Sequence, residues 1–147
     1  MRLTHLATLI CTAALGLALT SFAAESTTQS KDGVFIHLSQ GQNDPHRVLM
    51  ALNMANLMSE DHPVLVYFDI KGIGVVLTDA KDLTYSHFPS LRSQLAKLRE
   101  KGVLLMACPG CLKAAGKSAD DLAPGVQIAD KTRFFLFTTG RILTLDY

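Results

Sequence analysis

The chain has 147 residues, of which 48% are hydrophobic and 18% are charged. A hydrophobic content this high, with so few charges, excludes an intrinsically disordered protein. Fourteen basic and thirteen acidic residues give a formal net charge of +1. Because no run of lysine or arginine accompanies this near-neutral charge, we expect no nucleic-acid partner.

Residues 1–23 have the layout of a secretory signal peptide. Arg2 precedes an apolar run from residue 6 to residue 19, and small residues surround a predicted cleavage after Ala23. The run is about 14 residues long, whereas a membrane-spanning helix needs about 20. We therefore expect a periplasmic or secreted protein without stable membrane insertion after cleavage. Residues 24–32 are predicted to be flexible, and residues 33–147 to form one domain.

The first half of this domain contains two apolar segments, at residues 33–38 and 63–69, which predict strands. Between them, Asp44 and Pro45 form a favourable helix start, with an acid at the N-cap and proline in the first turn. The helix is predicted to end near residue 60. Residues 71–77 are compatible with either a loop or a short helix.

The helix that starts at Pro45 carries more apolar residues than one core-facing stripe requires. Its polar stripe is narrow and includes Asn56, and apolar residues flank it on both sides. The flanking residues are Leu49, Met50 and Leu57. They predict contact with another subunit or with a second packed element of the same chain.

The second half predicts a helix over residues 89–101, a strand over 103–107 and a short helix over 112–115. Two further strands are predicted at 133–137 and 141–145. Strands that alternate with helices are typical of α/β folds. We therefore predict a three-layer α/β/α domain with a mostly parallel sheet of about five strands.

Cys108 and Cys111 are the cysteines that remain after signal-peptide cleavage, because Cys11 lies within residues 1–23. Cys108 follows a predicted buried strand and precedes a helix, which is where open α/β sheets place their sites. Backbone N–H groups at the helix start, where Gly110 lines the site, lower a thiol pKa and favour the nucleophilic thiolate. We predict a reactive thiol pair.

Three other interpretations of the Cys-Pro-Gly-Cys motif remain open. An inert disulfide would close a very small loop and so constrain the unfolded chain little. A thioredoxin-like redox site fits the motif, but that fold carries its cysteines on its first helix. A soft-metal site for Cu(I) would combine Cys108 and Cys111 with Met106 or His37. The leading interpretation requires no cofactor.

His37 and Asp69 lie near the ends of the first two predicted strands. In a parallel sheet these ends approach the end of the third strand, so both side chains are predicted to line the Cys108 cleft. His37 would then act as a base for the thiol or as a metal ligand. The simpler alternatives are a histidine bonded to the backbone and an aspartate that caps the end of a strand.

The cysteine segment and its surroundings resemble the DsrE/DsrF family over about residues 33–147. Members share a strand, a cysteine, a short helix ending in glycine, an acidic Asp-Leu segment and a Gly-Val pair before the next strand. The segments that carry the resemblance are residues 106–116, 118–122, 124–126, 39–41, 51–55 and 140–145.

The resemblance implies a compact α/β/α domain that assembles into homo-oligomers and carries sulfane sulfur as a cysteine persulfide. Cys108 matches the carrier cysteine, eight residues before Gly116. Cys111 has no counterpart in the carriers and offers a resolving thiol, which would release sulfide and leave a disulfide. We therefore expect a sulfane-sulfur carrier or thiol-redox accessory protein rather than a turnover enzyme. Its partner would be a sulfur donor or acceptor protein, a small thiol or polysulfide.

Two alternatives to this function follow from the open interpretations of the motif. The first is a Cu(I)-binding module built on both thiolates. The second is a structural or interaction protein with an inert disulfide, which would assemble through the surface formed by Leu49, Met50 and Leu57.

Overall fold

A computed structural model describes residues 31–147 of the chain. The predicted signal peptide and most of the predicted flexible segment lie outside the described residues. The strands are β1 (Gly33–Leu38), β2 (Val64–Phe68), β3 (Leu104–Ala107), β4 (Val126–Ile128) and β5 (Ile142–Asp146). The helices are α1 (Pro45–Met58), α2 (Leu91–Glu100), α3 (Pro109–Ala114) and α4 (Lys131–Phe137).

The five strands form one sheet in the order β4-β3-β2-β1-β5, and every neighbouring pair is parallel. Their carboxyl ends therefore lie along one edge of the sheet. With helices on both faces, this arrangement confirms the predicted three-layer α/β fold with a parallel sheet of five strands. Within residues 31–147, no helix is both long enough and apolar enough to cross a membrane.

One face of the sheet is covered by α1 and α2, which pack against each other. The Asp44 carboxylate accepts a hydrogen bond of 3.1 Å from the N–H of Arg47, as expected for an N-cap. Aliphatic side chains that alternate along the strands meet the apolar side of α1 and form the main core. Its fully buried members include Ile36, Leu38, Leu52, Phe68 and Leu98.

Helix α2 explains part of the apolar excess of α1. Leu49 is completely buried, so this residue belongs to the core and not to a subunit contact. Asn56, which was predicted to lie on a polar stripe, is also buried, because α2 covers that side of the helix. Its side-chain N–H groups donate to the carbonyl groups of Leu52 and Gln94 at 3.0 and 3.4 Å. Leu57 remains exposed.

The prediction of a strand at residues 133–137 is wrong, because these residues form α4. The Asp130 carboxylate accepts a hydrogen bond of 2.9 Å from the N–H of Arg133 and thereby caps the helix start. Phe134 and Phe137, which are three residues apart, lie on one side of α4 and pack on the second face of the sheet. The aromatic run has high strand propensity, but this tertiary contact outweighs it. The sheet nevertheless has five strands, because Val126–Ile128 form the strand β4, which was not predicted.

Two segments before and after β3 also differ from the prediction in detail. Residues 71–77, for which loop and helix remained open, belong largely to a 3-10 helix at Ile70–Val75. Helix α3 begins at Pro109, three residues earlier than predicted, because Cys108 itself is the N-cap. The motif therefore forms the first turn of α3.

Candidate functional site

The carboxyl edge of the sheet brings together polar side chains of three strands and the cysteine that follows a fourth. His37 pairs with Tyr67 in the register between β1 and β2, and with Asp146 in the register between β1 and β5. Tyr67 pairs in turn with Met106 on β3, two residues before Cys108. Because side chains alternate along strands, these residues point to the same face as the aromatic cluster beneath α4.

Cys108 lies at the junction between β3 and α3. Its N–H donates to the carbonyl oxygen of Phe68 at 2.9 Å, which fixes the junction beside the end of β2. Its sulfur accepts the N–H of Cys111 at 3.4 Å, in the place where a serine or aspartate oxygen usually caps a helix. Both cysteines are half-buried free thiols. The Cys108 sulfur therefore accepts a hydrogen bond at the start of α3, as a thiolate would, and the residue remains partly exposed.

Several donors act on the Cys108 sulfur. Burial raises its pKa, but hydrogen bonds from the Tyr67 hydroxyl, from Cys111 and from the N–H of Gly110 outweigh that effect. The pKa of Cys108 therefore lies below its ordinary value. A lowered pKa increases the thiolate fraction near neutral pH, and the thiolate is the nucleophile.

Cys111 lies one helical turn further on and behaves in the opposite way. The N–H of Ile70 donates to its sulfur and lowers its pKa, but the neighbouring Cys108 and burial raise it more. The negative charge of Asp69 adds to the increase, so the pKa of Cys111 is raised. The two thiols therefore differ, because the pKa of Cys108 is lowered and that of Cys111 is raised.

Tyr67 is one of two site residues that the sequence analysis missed. Its ring stacks on the rings of Phe35 and His37, with centroids 6.2 and 6.0 Å apart, and meets Phe134 edge-on at 5.2 Å. Burial, followed by the hydrogen bond to Cys108, raises the pKa of Tyr67. The hydroxyl therefore stays protonated and acts as a donor. The sequence held one signal for Tyr67: it precedes Asp69 by two residues, so the two side chains point to the same face of the sheet.

His37 joins two carboxylates at the sheet edge. Its Nε2 lies 2.9 Å from Asp69 Oδ1, and its Nδ1 lies 2.8 Å from Asp146 Oδ1. Burial lowers the pKa of His37, but the two aspartates raise it more, so the net shift is upward. The ring thus bonds to side chains rather than to the backbone. The second aspartate, Asp146, was not predicted as a site residue.

Ile70 has a rare backbone conformation beside the thiols. Its φ angle is +45°, which is unfavourable for a β-branched residue, and 64% of its surface is exposed. The turn around it is held by hydrogen bonds from the N–H groups of Lys71 and Gly72 to the Ser39 carbonyl, both 3.2 Å. In this conformation the N–H of Ile70 donates a hydrogen bond to the Cys111 sulfur, which lowers the pKa of that thiol.

The residues predicted as ligands of a soft metal do not all meet at one point. Met106 is fully buried and packs with Leu65 and Ala129 beneath the sheet surface. Both ring nitrogens of His37 contact carboxylates. Among residues 31–147, no group of three or more histidine, cysteine, aspartate or glutamate side chains is arranged to hold a metal ion. The two thiols remain the available soft donors.

Fold and site together define a class: a small parallel α/β protein with a thiol pair at the carboxyl edge of its sheet. The sequence matches the DsrE/DsrF-like family over residues 32–137. The chain therefore belongs to the DsrE/DsrF-like family, as its motifs predicted. Comparison with curated proteins gives no match.

Solved structures support the same fold. The crystal structure of the YchN protein from E. coli superposes with a TM-score of 0.62 at 16% identity, over 78% of this chain and 99% of YchN. The protein of unknown function MTH1491 from Methanobacterium thermoautotrophicum superposes with a TM-score of 0.59 at 22% identity. That match covers 80% of this chain and 100% of MTH1491.

Proposed function

We propose that this protein accepts sulfane sulfur on Cys108 and acts as a sulfur carrier or thiol-redox accessory protein. The observation that carries the proposal is the position of Cys108 as the N-cap of α3, where its sulfur accepts the N–H of Cys111 at 3.4 Å. The contrast between the two thiols supports the same assignment. Cys108 has a lowered pKa and Cys111 a raised one, although they lie within one helical turn. Membership of the DsrE/DsrF-like family, which is related to sulfur relays, supports the same chemistry.

The acceptance step is a nucleophilic displacement. The Cys108 thiolate attacks the outer sulfur of a persulfide or polysulfide donor, and a new S–S bond forms. The donor's own S–S bond breaks, and the donor leaves as a thiolate with the electron pair. Cys108 ends as a persulfide. The step needs no cofactor, and the role is stoichiometric rather than that of a turnover enzyme.

Cys111 provides a second route by which the sulfur leaves. Its thiolate would attack the inner sulfur of the Cys108 persulfide and form the Cys108–Cys111 disulfide. Hydrosulfide then leaves with the electron pair and takes up the proton that Cys111 released. The sulfane sulfur is thereby reduced and the two thiols are oxidised. A dithiol reductant would restore the thiol pair.

We place this chemistry outside the cytoplasm, because residues 1–23 have the layout of a signal peptide. The proposed partners are therefore small thiols, polysulfides or sulfur-carrying proteins of the periplasm or exterior. Determining the N-terminus of the protein purified from cells tests this placement. A chain that still begins at Met1 would contradict it.

Incubation of the reduced protein with polysulfide, without oxygen, tests the acceptance step. We expect the Cys111→Ser variant to gain about 32 Da on Cys108, the mass of one sulfur atom. Cys108→Ser is the matched control and should gain less on Cys111, because this variant removes the sulfur that caps the start of α3. Absence of the adduct from both the wild-type protein and Cys111→Ser, with all thiols reduced, would reject the function.

We also propose that the protein forms homo-oligomers through α4. Phe135 and Leu136 are adjacent and are 66% and 69% exposed, whereas the predicted surface around Leu49 is partly buried. Sedimentation should give an assembly for the wild-type protein and monomers for Phe135→Asp. The control Leu57→Asp changes an exposed leucine on α1 and should leave the assembly intact. A monomeric wild-type protein would contradict this proposal.

A further inference from the structure

Tyr67 on β2 is in register with Met106 on β3, and Cys108 follows Met106 by two residues, so the tyrosine and the thiol are neighbours on one side of the sheet. A hydrogen bond from the Tyr67 hydroxyl contributes to the lowered pKa of Cys108. We propose that Tyr67 is a catalytic residue of the sulfur chemistry proposed above, on which this inference rests. It would favour transfer of the sulfur to an acceptor thiol over its release as sulfide.

The geometry prepares Tyr67 for this role. The hydrogen bond from Cys108 N–H to the Phe68 carbonyl aligns the cysteine with the end of β2. The Tyr67 ring lies between Phe35 and His37 on the sheet and Phe134 on α4. Because three rings surround it, the side chain loses little further freedom when its hydroxyl contacts the sulfur. The donor is therefore preorganised.

During acceptance, Tyr67 increases the amount of nucleophile. A hydrogen bond to a thiolate lowers the thiol pKa and also makes each thiolate less nucleophilic. The nucleophilicity falls less steeply than the thiolate fraction rises, as long as the pKa stays above the ambient pH. The hydroxyl thus increases the net rate, and its own raised pKa keeps it protonated.

During release, Tyr67 distinguishes two leaving groups. When an acceptor thiolate attacks the outer sulfur, the S–S bond breaks and Cys108 leaves as the thiolate that Tyr67 stabilises. When Cys111 attacks the inner sulfur, hydrosulfide leaves and Cys108 stays bonded in the disulfide. Only the first route develops negative charge on the sulfur that the hydroxyl contacts. Tyr67 therefore favours the carrier route.

The Tyr67→Phe variant tests the proposal, because it keeps the ring and removes only the hydroxyl. Tyr85→Phe is the matched control at an exposed tyrosine in the loop before α2, where its ring stacks on that of His46. The first measurement is the pH profile of iodoacetamide alkylation of Cys108, in a Cys111→Ser background. His37 and Asp69, the other titratable groups nearby, remain unchanged.

We expect the alkylation profile of Tyr67→Phe to move to higher pH, with a rate about ten-fold lower below the pKa. The second measurement uses persulfide-loaded protein with intact Cys111 and glutathione as acceptor. The ratio of glutathione persulfide to released sulfide should fall about ten-fold in Tyr67→Phe and stay unchanged in Tyr85→Phe.

The two measurements separate the two proposals. Alkylation requires no sulfane sulfur, so it reports on the hydroxyl even if the protein accepts none. A profile and a product ratio in Tyr67→Phe that equal those of the wild-type protein would overturn the role of Tyr67. Failure of polysulfide to load Cys108, together with a shifted alkylation profile, would instead overturn the proposed function.

Discussion

The two faces of the sheet differ in what covers them. The first face lies beneath α1 and α2, and its side chains are almost all aliphatic and fully buried. The second face carries the aromatic rings of Phe35 and Tyr67 beneath the short helix α4, whose Phe134 packs against both. At the carboxyl edge this second face continues into the row of His37 and the aspartates.

This difference indicates a division of roles between the faces. Aliphatic packing without polar groups stabilises a fold but offers no chemistry. Aromatic rings with polar tips bury area and also present donors, as Tyr67 does to Cys108. We therefore expect changes on the first face to alter stability without altering the thiols. Changes on the second face should alter the reactivity of the thiols as well as stability.

The largest effect is expected on the first face. Leu52 on α1 is fully buried, so Leu52→Ala should lower the free energy of unfolding by about 3 kcal/mol. The loss combines the transfer free energy of the removed methyl groups with the cavity left behind. Urea unfolding measures this change, and the alkylation rate of Cys108 at neutral pH should stay as in the wild-type protein.

Leu57→Ala is the matched control for Leu52→Ala on the same helix. Leu57 is 55% exposed, so its truncation should change the free energy of unfolding by less than about 0.5 kcal/mol. Equal losses in the two variants would contradict the assignment of the core. A changed alkylation rate in folded Leu52→Ala would contradict the independence of the two faces.

The second prediction concerns the support of Tyr67 by α4. Phe134 meets the Tyr67 ring edge-on at 5.2 Å, a contact typically worth about 1 kcal/mol. Phe134→Ala should loosen the ring, raise the pKa of Cys108 and slow its alkylation about three-fold below that pKa. Tyr85→Ala provides the control, because it removes an exposed aromatic ring outside α4 and leaves the contacts of the Tyr67 ring in place. Identical rates in both variants would show that α4 does not support the site.

The fold was largely predictable because its strands are continuous apolar runs separated by clear helix starts. The Asp44-Pro45 start and the position of Cys108 between a strand and a helix follow from local chemistry alone. Helix α4 was not predictable in this way. Its aromatic residues favour strands, and their contacts with Leu65 and Met106 on distant strands stabilise the helix together with the N-cap at Asp130.

The site was predictable in part for the same reason. Residues that end parallel strands meet at one edge, which brought His37, Asp69 and Cys108 into the predicted cleft. The spacing of Tyr67 and Asp69 places both on one face, but the approach of Tyr67 to Cys108 and the pairing of Asp146 with His37 depend on the register between strands. One step of register would turn both side chains to the opposite face.

The smallest predicted effect is a pH dependence of stability from the His37 row. The pKa of His37 is raised above its ordinary value of 6.5 by Asp69 and Asp146, despite burial that lowers it. The folded state therefore binds the proton more tightly than the unfolded state does. The resulting stabilisation is complete below pH 6.5 and is lost as the pH rises through the folded-state pKa.

The loss should be about 0.5 kcal/mol, because Asp146 is largely exposed and water screens its charge. Urea unfolding at about pH 6 and about pH 8.5 measures it, in a Cys108→Ser, Cys111→Ser background where no thiol titrates. His37→Asn should remove the difference between the two pH values, whereas His87→Asn, a change at an exposed histidine, should retain it. If stability instead increases with pH in the parent and not in His37→Asn, the protonated ring opposes folding. In that case the pairing of His37 with Asp69 and Asp146 would belong to the thiol site and would not stabilise the fold.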